Sequence, residues 1–269
     1  MIGEGSFLKF VGTAGARFVV IKQLRASGGI WISSGKTNLY LDPGPGALVR
    51  CLSSRPRLDP GKLQGILLSH KHLDHSGDVN VMIEAMSQGG SRKGGVLFAP
   101  HDAFGSGGVV FEYVVNYLER VEILRANQNY RLGGLSFSTG CAHIHPVETY
   151  GFNFQFPEAE VSFVTDTRFF DEIADTYTGQ VMVINVVRYL PIETVDIDHL
   201  SIEDVRRIIE RRRPRLTVLT HFGMTMIKAK PWEVAEMLER ETGLRVIAAR
   251  DGMRLDLADY LQSNEAHGR

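Results

Sequence analysis

Short apolar runs recur along the chain, and glycine, proline and polar residues separate them. Runs of about four to eight residues with such boundaries predict β-strands. The predicted strands are residues 6–11, 18–21, 29–32, 38–41, 65–68, 96–99, 135–138, 141–145, 161–164, 181–187, 216–219 and 246–249. Asp251 and Gly252 predict a turn into one further strand, which forms a hairpin.

Other apolar residues recur three or four positions apart, which predicts amphipathic helices. Residues 79–86 show this spacing, and Gly89-Gly90 is a stop signal. The same spacing predicts helices over residues 110–121, 202–209 and 234–238. Ser201 and Asp204 open the second of these with a pattern resembling a capping box. Alternating strands and helices in the second half of the chain predict an α/β fold.

Composition excludes several classes of protein. The chain has 269 residues with 30 Lys+Arg and 31 Asp+Glu, so its net charge of −1 gives no bulk attraction to nucleic acid or membranes. A signal peptide and a membrane span are not expected, because no apolar run approaches about 20 residues. Cys51 and Cys141 form no disulfide or zinc framework, which favours a reducing, cytoplasmic location.

The domain organisation follows from length and from the absence of a linker-like segment. We expect one internally duplicated domain over residues 1–261 and a polar tail over residues 262–269.

The strongest chemical signal directly follows the apolar run 65–68. His70, His72, Asp74 and His75 lie within six residues there. Imidazole and carboxylate groups are the ligands that Zn²⁺, Mn²⁺ and Fe²⁺ accept in proteins. A surface loop that happens to be rich in histidine is the alternative, but this spacing behind a strand favours a site for two metal ions.

Further candidate site residues lie at other predicted strand ends. Asp42, Asp166 and His221 each follow an apolar run, and His145 ends another. Strand ends on one edge of a sheet can converge, although a lone aspartate after a strand is also a common turn former.

The motif His-x-His-x-Asp-His over residues 70–75 resembles the signature of the metallo-β-lactamase superfamily of binuclear metal hydrolases. Other segments stand in the order that this family leads one to expect, namely Asp42–Gly46, His145–Phe152, Thr165–Thr167 and Leu219–Phe222. The chain most resembles the branch with the RNase Z tRNA-processing enzymes and the cyclic phosphodiesterases. The resemblance implies a four-layer αβ/βα sandwich, with the site in a cleft at one edge of the sheets.

The resemblance also assigns roles to the candidate residues. It implies two divalent metal ions, zinc being expected and manganese or iron being alternatives. The implied ligands are His70, His72 and His145 for one ion, Asp74, His75 and His221 for the other, and Asp166 as the bridge. Asp42 is expected to orient the site without binding metal, and His143 is expected to be a packed or supporting residue.

The implied reaction is hydrolysis of a small-molecule phosphodiester by a metal-bridging hydroxide. Asp74 and His199 are the catalytic candidates, with His199 as the general acid. A solvent-exposed histidine before a helix is the alternative reading of His199. A thioester or lactone hydrolase remains an alternative function.

Partners are less well defined by the sequence. An RNA-processing nuclease of RNase Z type is not favoured, because the Gly-rich segment 87–95 is short where such enzymes carry a long arm. The cluster of six arginines within residues 206–215 predicts a solvated helix end, with phosphate binding as the minority interpretation. No membrane partner is expected, and a homodimer remains open because dimers are common among such relatives.

Overall fold

The computed structural model describes residues 5–190 and 198–262. The strands are β1 Phe7–Phe10, β2 Ile30–Ser34, β3 Thr37–Leu41, β4 Gly65–Leu67, β5 Val96–Ala99, β6 Arg120–Ile123, β7 Asn129–Leu132, β8 Leu135–Ala142, β9 Tyr150–Gln155, β10 Glu160–Val164, β11 Val181–Asn185, β12 Leu216–Thr220, β13 Val246–Ala248 and β14 Met253–Asp256. The helices are α1 Ala16–Ile21, α2 Ala47–Ser53, α3 Leu73–Ser76, α4 Val79–Met86, α5 Glu112–Val115, α6 Ile173–Thr176, α7 Ile202–Arg212, α8 Met224–Lys228, α9 Pro231–Thr242 and α10 Leu257–Gln262. Of the predicted tail, only Gln262 belongs to the described residues.

Two mixed sheets share one pattern of strand directions. Their strand orders are β14-β1-β2-β3-β4-β5-β6 and β13-β12-β11-β10-β9-β8-β7. From β14 in the first sheet, and from β7 in the second, three antiparallel pairings are followed by three parallel ones. The order therefore repeats, with β3 and β4 of the first sheet in the places of β10 and β11 of the second.

Three layers of apolar side chains separate the two sheets and the outer helices. Phe98 of the first sheet and Phe137 of the second meet in the middle layer, with ring centroids 5.1 Å apart. Helices α2, α4 and α5 cover the outer face of the first sheet, and α6, α7, α8 and α9 cover that of the second. The central parallel strands are buried on both faces, which explains their continuous apolar runs. The fold is the predicted four-layer αβ/βα sandwich of the metallo-β-lactamase type.

Local sequence correctly predicts the two helices with clear signals. Val79, Met82, Ile83 and Met86 of α4 are all buried. Helix α7 begins with the capping box of Ser201 and Asp204, in which each side chain bonds to the backbone of the other residue. Among the described residues, no helix has the length and apolar character needed to cross a bilayer.

Three secondary-structure predictions are wrong in the N-terminal half and the middle of the chain. The apolar run 18–21 lies in helix α1, where Phe18 and Ile21 are exposed, because a run this short does not distinguish helix from strand. The helix predicted over 110–121 is only α5, since the chain enters β6 and pairs with β5. The strand predicted over 141–145 is only the end of β8, which stops at Ala142 after an irregularity in its pairing with β9.

The predicted C-terminal hairpin is also wrong. Strand β14 pairs with β1 in the first sheet, with Phe7 opposite Asp256. Strand β13 pairs with β12 in the second sheet, with Leu219 opposite Ala248. Because the two strands belong to different sheets, the turn at Asp251 and Gly252 carries the chain from one sheet to the other.

Candidate metal centre

Most of the predicted site residues lie at the carboxyl ends of strands that pair in parallel. Asp42 directly follows β3, and Asp166 and His221 follow the ends of β10 and β12. The chain turns sharply at two of these points, with φ of 53° at Asp42 and 59° at His221. His70 follows β4, and the short helix α3 then carries Asp74 and His75.

Three imidazoles form the first group of potential ligands. His70, His72 and His145 each offer one nitrogen, and these nitrogens lie within 4.8 Å of one another. Nδ1 of His72 is 3.0 Å from Nε2 of His145. Two nitrogens bound to one tetrahedral zinc ion at about 2.05 Å would lie about 3.3 Å apart, so this spacing matches a shared cation.

A second group combines one carboxylate and two imidazoles. Asp74, His75 and His221 also have their ligand atoms within 4.8 Å of one another. Oδ2 of Asp74 is 3.9 Å from Nε2 of His75 and 3.6 Å from Nε2 of His221. The structure therefore brings the residues of each predicted set together in one compact group.

Asp166 lies between the two groups. Its Oδ2 is 3.4 Å from Nε2 of His75 and 3.3 Å from Nε2 of His221. The same carboxylate also forms a compact group with His75 and His70, which belongs to the first set. This position suits a carboxylate that contacts two cations at once.

Buried nitrogens without partners show that the site fits a cation. Within residues 5–190 and 198–262, Nε2 of His70, His75 and His221 is buried without a hydrogen bond. A buried polar atom without a partner is costly, and a metal ion removes that cost because imidazole binds it through the nitrogen lone pair. The three nitrogens point into the two groups of ligands.

Asp42 supports the ligands without lying among them. Its carboxylate accepts hydrogen bonds from the backbone N–H of Ser69 at 2.7 Å, from the Ser69 hydroxyl at 2.7 Å and from Nδ1 of His75 at 2.9 Å. Since the Ser69 hydroxyl donates to Asp42, it accepts from Nδ1 of His70 at 3.0 Å. Both histidines thus use Nδ1 as a hydrogen-bond donor, so Nε2 is the nitrogen that could bind a cation.

His143 lies beside the centre and outside both groups of ligands. Its Nδ1 is 3.1 Å from the backbone carbonyl of Asp166, which can only accept, so the proton is on Nδ1. Its Nε2 accepts from the hydroxyl of the fully buried Tyr177. Burial lowers the pKa of His143 to about 4, so the imidazole is neutral. Through these two hydrogen bonds, His143 holds the backbone of Asp166 in place.

His145 has a support of its own. Its Nδ1 donates to the backbone carbonyl of Asp198 at 3.0 Å, which directs Nε2 towards His72. The Asp198 carboxylate accepts from Arg168 at 2.7 Å and 3.0 Å. This ion pair holds the segment that positions the His145 ring.

The charges of the centre oppose the effect of burial. Burial acts to raise the pKa of Asp166, but the imidazoles of His221, His75 and His199 outweigh it and hold that pKa well below its usual value. Burial acts to lower the pKa of His75, but Asp166 and other nearby carboxylates raise it well above its usual value. The carboxylates thus favour positive charge at the centre.

His199 lies at the edge of the centre. Its Nδ1 is 3.5 Å from Oδ2 of Asp166, and its ring centroid is 5.3 Å from that of His145. Arg188 donates two hydrogen bonds to its backbone carbonyl, at 2.6 Å and 3.2 Å, which fixes its position. Burial lowers the pKa of His199 to about 4. The side chain of His199 is only 21% exposed, which argues against the alternative interpretation of a solvent-exposed histidine.

Sequence reasoning missed three residues that complete the site. Asn185 donates to Oδ1 of Asp166 at 2.8 Å, and its one sequence signal is the interruption of the apolar run 181–187. Ser69 and Tyr177 gave no signal, because serine and tyrosine are common next to strands and in cores.

The glycine-containing loop after β1 lies against the site. A Cβ at Gly15 would lie 2.1 Å from the backbone oxygen of His221, so only glycine fits this approach. A Cβ at Gly44, in the turn after Asp42, would lie 2.0 Å from the oxygen of Asp74. Glycine at these points allows the loops to support the ligands closely.

The arginine cluster lies away from the centre. Arg206 pairs with Glu203 and Glu241, and Arg211 pairs with Asp175. The cluster is close to the start of β12, whereas His221 follows the end of that strand. These neutralised arginines support the solvated-helix interpretation.

Sequence comparison identifies the family. The pattern of the β-lactamase superfamily domain matches residues 37–222. The uncharacterized protein MJ1374 of Methanocaldococcus jannaschii is 28% identical over 261 residues, which cover 92% of this chain and 94% of that protein.

Solved structures share the fold at lower identity. The metallo-β-lactamase fold protein YhfI of Bacillus subtilis has a TM-score of 0.77 and 18% identity, covering 94% of this chain and 99% of its own. A diphosphatase of the PhnP family has a TM-score of 0.66 and 19% identity, covering 93% and 97%. The short form of human tRNase Z has a TM-score of 0.67 and 14% identity, covering 93% and 99%. This chain belongs to the metallo-β-lactamase superfamily, whose members are metal-dependent hydrolases.

Proposed function

We propose that the protein is a binuclear metal-dependent phosphodiesterase that acts on a small-molecule diester. The observation that carries the proposal is the position of Asp166 between two compact groups of three ligands. His70, His72 and His145 would hold one divalent cation, and Asp74, His75 and His221 would hold the other. Zinc is the expected metal, because it accepts both imidazole-rich and mixed imidazole–carboxylate sites.

Two divalent cations there would lower the pKa of a shared water towards neutrality and neutralise charge on a phosphate oxygen. The protein's own part is to hold the ligands rigidly. Asp42 and Ser69 fix two imidazole tautomers, and Asn185 fixes the rotation of Asp166. The side chain of Asp74 is 19% exposed, whereas that of Asp166 is 1% exposed, so Asp74 is the more accessible of the two carboxylate ligands.

His199 is proposed as the general acid. Its ring lies beside Asp166 and His145, and its Nδ1 has no hydrogen-bond partner among the described residues. An anionic phosphate next to the ring would favour the imidazolium form, and Nδ1 could then donate its proton to the departing alkoxide. The proposed general-acid role of His199 rests on this position of its ring.

Several features favour a small substrate over RNA. Strand β5 begins at Val96, so the described chain between α4 and β5 is limited to residues 87–95 and has no extended arm there. The net charge of −1 gives no general attraction to a polyanion. Both the PhnP-family diphosphatase and tRNase Z share the fold, so loops must decide between small and large phosphate substrates.

The test is turnover of four activated substrates by one sample of known metal content. An aryl phosphodiester, an aryl phosphomonoester, a thioester and a lactone would be compared, with His101→Ala as the control because His101 is an exposed histidine outside the centre. The proposal predicts a clear preference for the diester. Preference for the thioester or the lactone would move the function to that class.

A further inference from the structure

A cavity opens next to the candidate metal centre, at the end of strand β13. Its volume is about 530 Å³, and its walls include Arg25, Trp232 and Arg250. Ala249 in its floor donates a backbone hydrogen bond to Leu219 of β12 at 2.8 Å. Because neighbouring strands lie about 4.8 Å apart, this cavity and His221 share one edge of the sheet.

The cavity carries positive charge that no described residue neutralises. Within residues 5–190 and 198–262, the guanidinium groups of Arg25 and Arg250 make no hydrogen bond or ion pair, and Arg25 only approaches the Phe222 ring, at 6.0 Å. The carboxylate of Asp251 is already engaged by Thr13, the Ala26 backbone and Arg50. Two guanidinium groups are therefore available for an anion.

An aromatic side chain forms another wall. Trp232, in the first turn of α9, is 52% exposed, whereas Val234, Ala235 and Leu238 of the same helix are buried. An exposed indole offers a flat surface on which another aromatic ring can stack. Trp31 is the other tryptophan of the chain and is 3% exposed, in the core of the first sheet.

We infer that this cavity binds a nucleotide-like ligand, a planar aromatic ring that carries a phosphate. The ring stacks on Trp232, and the phosphate lies between Arg25 and Arg250. The site uses none of the proposed metal ligands. It goes beyond the proposed function, because binding here does not require phosphodiester hydrolysis.

The two tryptophans make the test simple. Fluorescence of the full-length, metal-loaded protein would be followed during titration with AMP, adenosine and inorganic phosphate. AMP is expected to quench Trp232 in a saturable way, with at least about tenfold higher affinity than adenosine or phosphate. Calorimetry with Trp232→Phe is expected to show AMP affinity weakened about tenfold, since phenylalanine stacks less well than tryptophan.

The arginines are tested in the same titration. Arg250→Ala and Arg25→Ala are each expected to weaken AMP binding about tenfold. Arg131→Ala is the control, because Arg131 is an exposed arginine on β7 in the second sheet. Quenching without saturation, or equal affinity in all these variants, would overturn the inference. Loss of AMP binding in Asp166→Asn alone would assign the ligand to the metal centre and also overturn it.

Discussion

Oδ2 of Asp42 lies 2.9 Å from Nδ1 of His75, so one carboxylate that belongs to neither ligand group sets the proton position of a ligand. The same oxygen accepts from Ser69, whose hydroxyl in turn accepts from His70. Asp42 therefore connects a ligand of the first proposed metal position with a ligand of the second.

The Ser69 hydroxyl is predicted to matter for one metal position more than for the other. In Ser69→Ala, Nδ1 of His70 loses its acceptor, so zinc affinity at the position with His70 should fall about tenfold. Asp42→Asn should weaken both positions, because it also removes the acceptor of His75. Competition with a chromophoric chelator measures each step. Ser87→Ala is the control, since Ser87 is equally buried at the end of α4; unchanged zinc binding in Ser69→Ala would contradict the account.

Asn185 is predicted to stabilise the metal-free protein through Asp166. Asn185→Leu leaves Oδ1 of Asp166 without its donor, so the free energy of unfolding should fall by about 1–3 kcal/mol. Urea unfolding in the presence of a chelator measures this change. The control is Asn116→Leu at an exposed position, and an equal effect of the two substitutions would show that the contact with Asp166 is unimportant.

His199 is predicted to act on the leaving group. In His199→Ala, turnover of a diester with a poor leaving group should fall about 10²–10⁴-fold, while an activated aryl diester should lose much less. Metal content should stay the same, because His199 belongs to neither ligand group. Steady-state kinetics on both substrates measures the difference, and equal losses on both would refute the general-acid role.

Cys51 is predicted to make the protein less stable in alkali. Burial raises the pKa of its thiol from 9.0 to about 11, although a hydrogen bond with Tyr40 acts in the opposite direction. The unfolded thiol therefore loses its proton from about pH 9 while the folded thiol keeps it, and stability is lost as pH rises from about 9 to about 11. At pH 10.5 the loss should be about 2 kcal/mol.

The test compares how the stability of Cys51→Ala and that of the wild type change with pH. Urea unfolding at pH 8 and at pH 10.5 should show a smaller loss in the variant than in the wild type. Burial, the largest cause of the raised pKa of Tyr40, acts in both proteins, and only the smaller contribution that Cys51 makes to that pKa disappears in the variant. Parallel profiles would mean that the Cys51 thiol does not contribute.

The sequence predicts which residues come together at the candidate metal centre, for physical reasons. Residues 70–75 bring four of them together within one short segment, and the others follow apolar strands. Parallel strands of one sheet end at a common edge. Polar residues directly after such strands therefore indicate that the site lies at this edge. The buried strands are also recognisable, because apolar side chains cover both of their faces.

The family resemblance assigns supporting roles to Asp42 and His143, but the partners through which these supports act could not be predicted from the sequence. Asp42 and Ser69 are 27 residues apart, Asn185 and Asp166 are 19 apart, and His143 and Tyr177 are 34 apart. No local pattern links such pairs, since they meet only after the sheets have formed. Likewise, the turn at Asp251 does not determine that β14 pairs with β1 of the first sheet, because this pairing depends on tertiary contacts.

The most direct test of the binuclear phosphodiesterase is a zinc titration of the metal-free protein, with turnover of an aryl phosphodiester measured at each step. The account predicts two bound ions per chain and turnover that reaches its plateau only as the second ion binds. Full turnover with one equivalent, or two bound ions without diester hydrolysis, would contradict it.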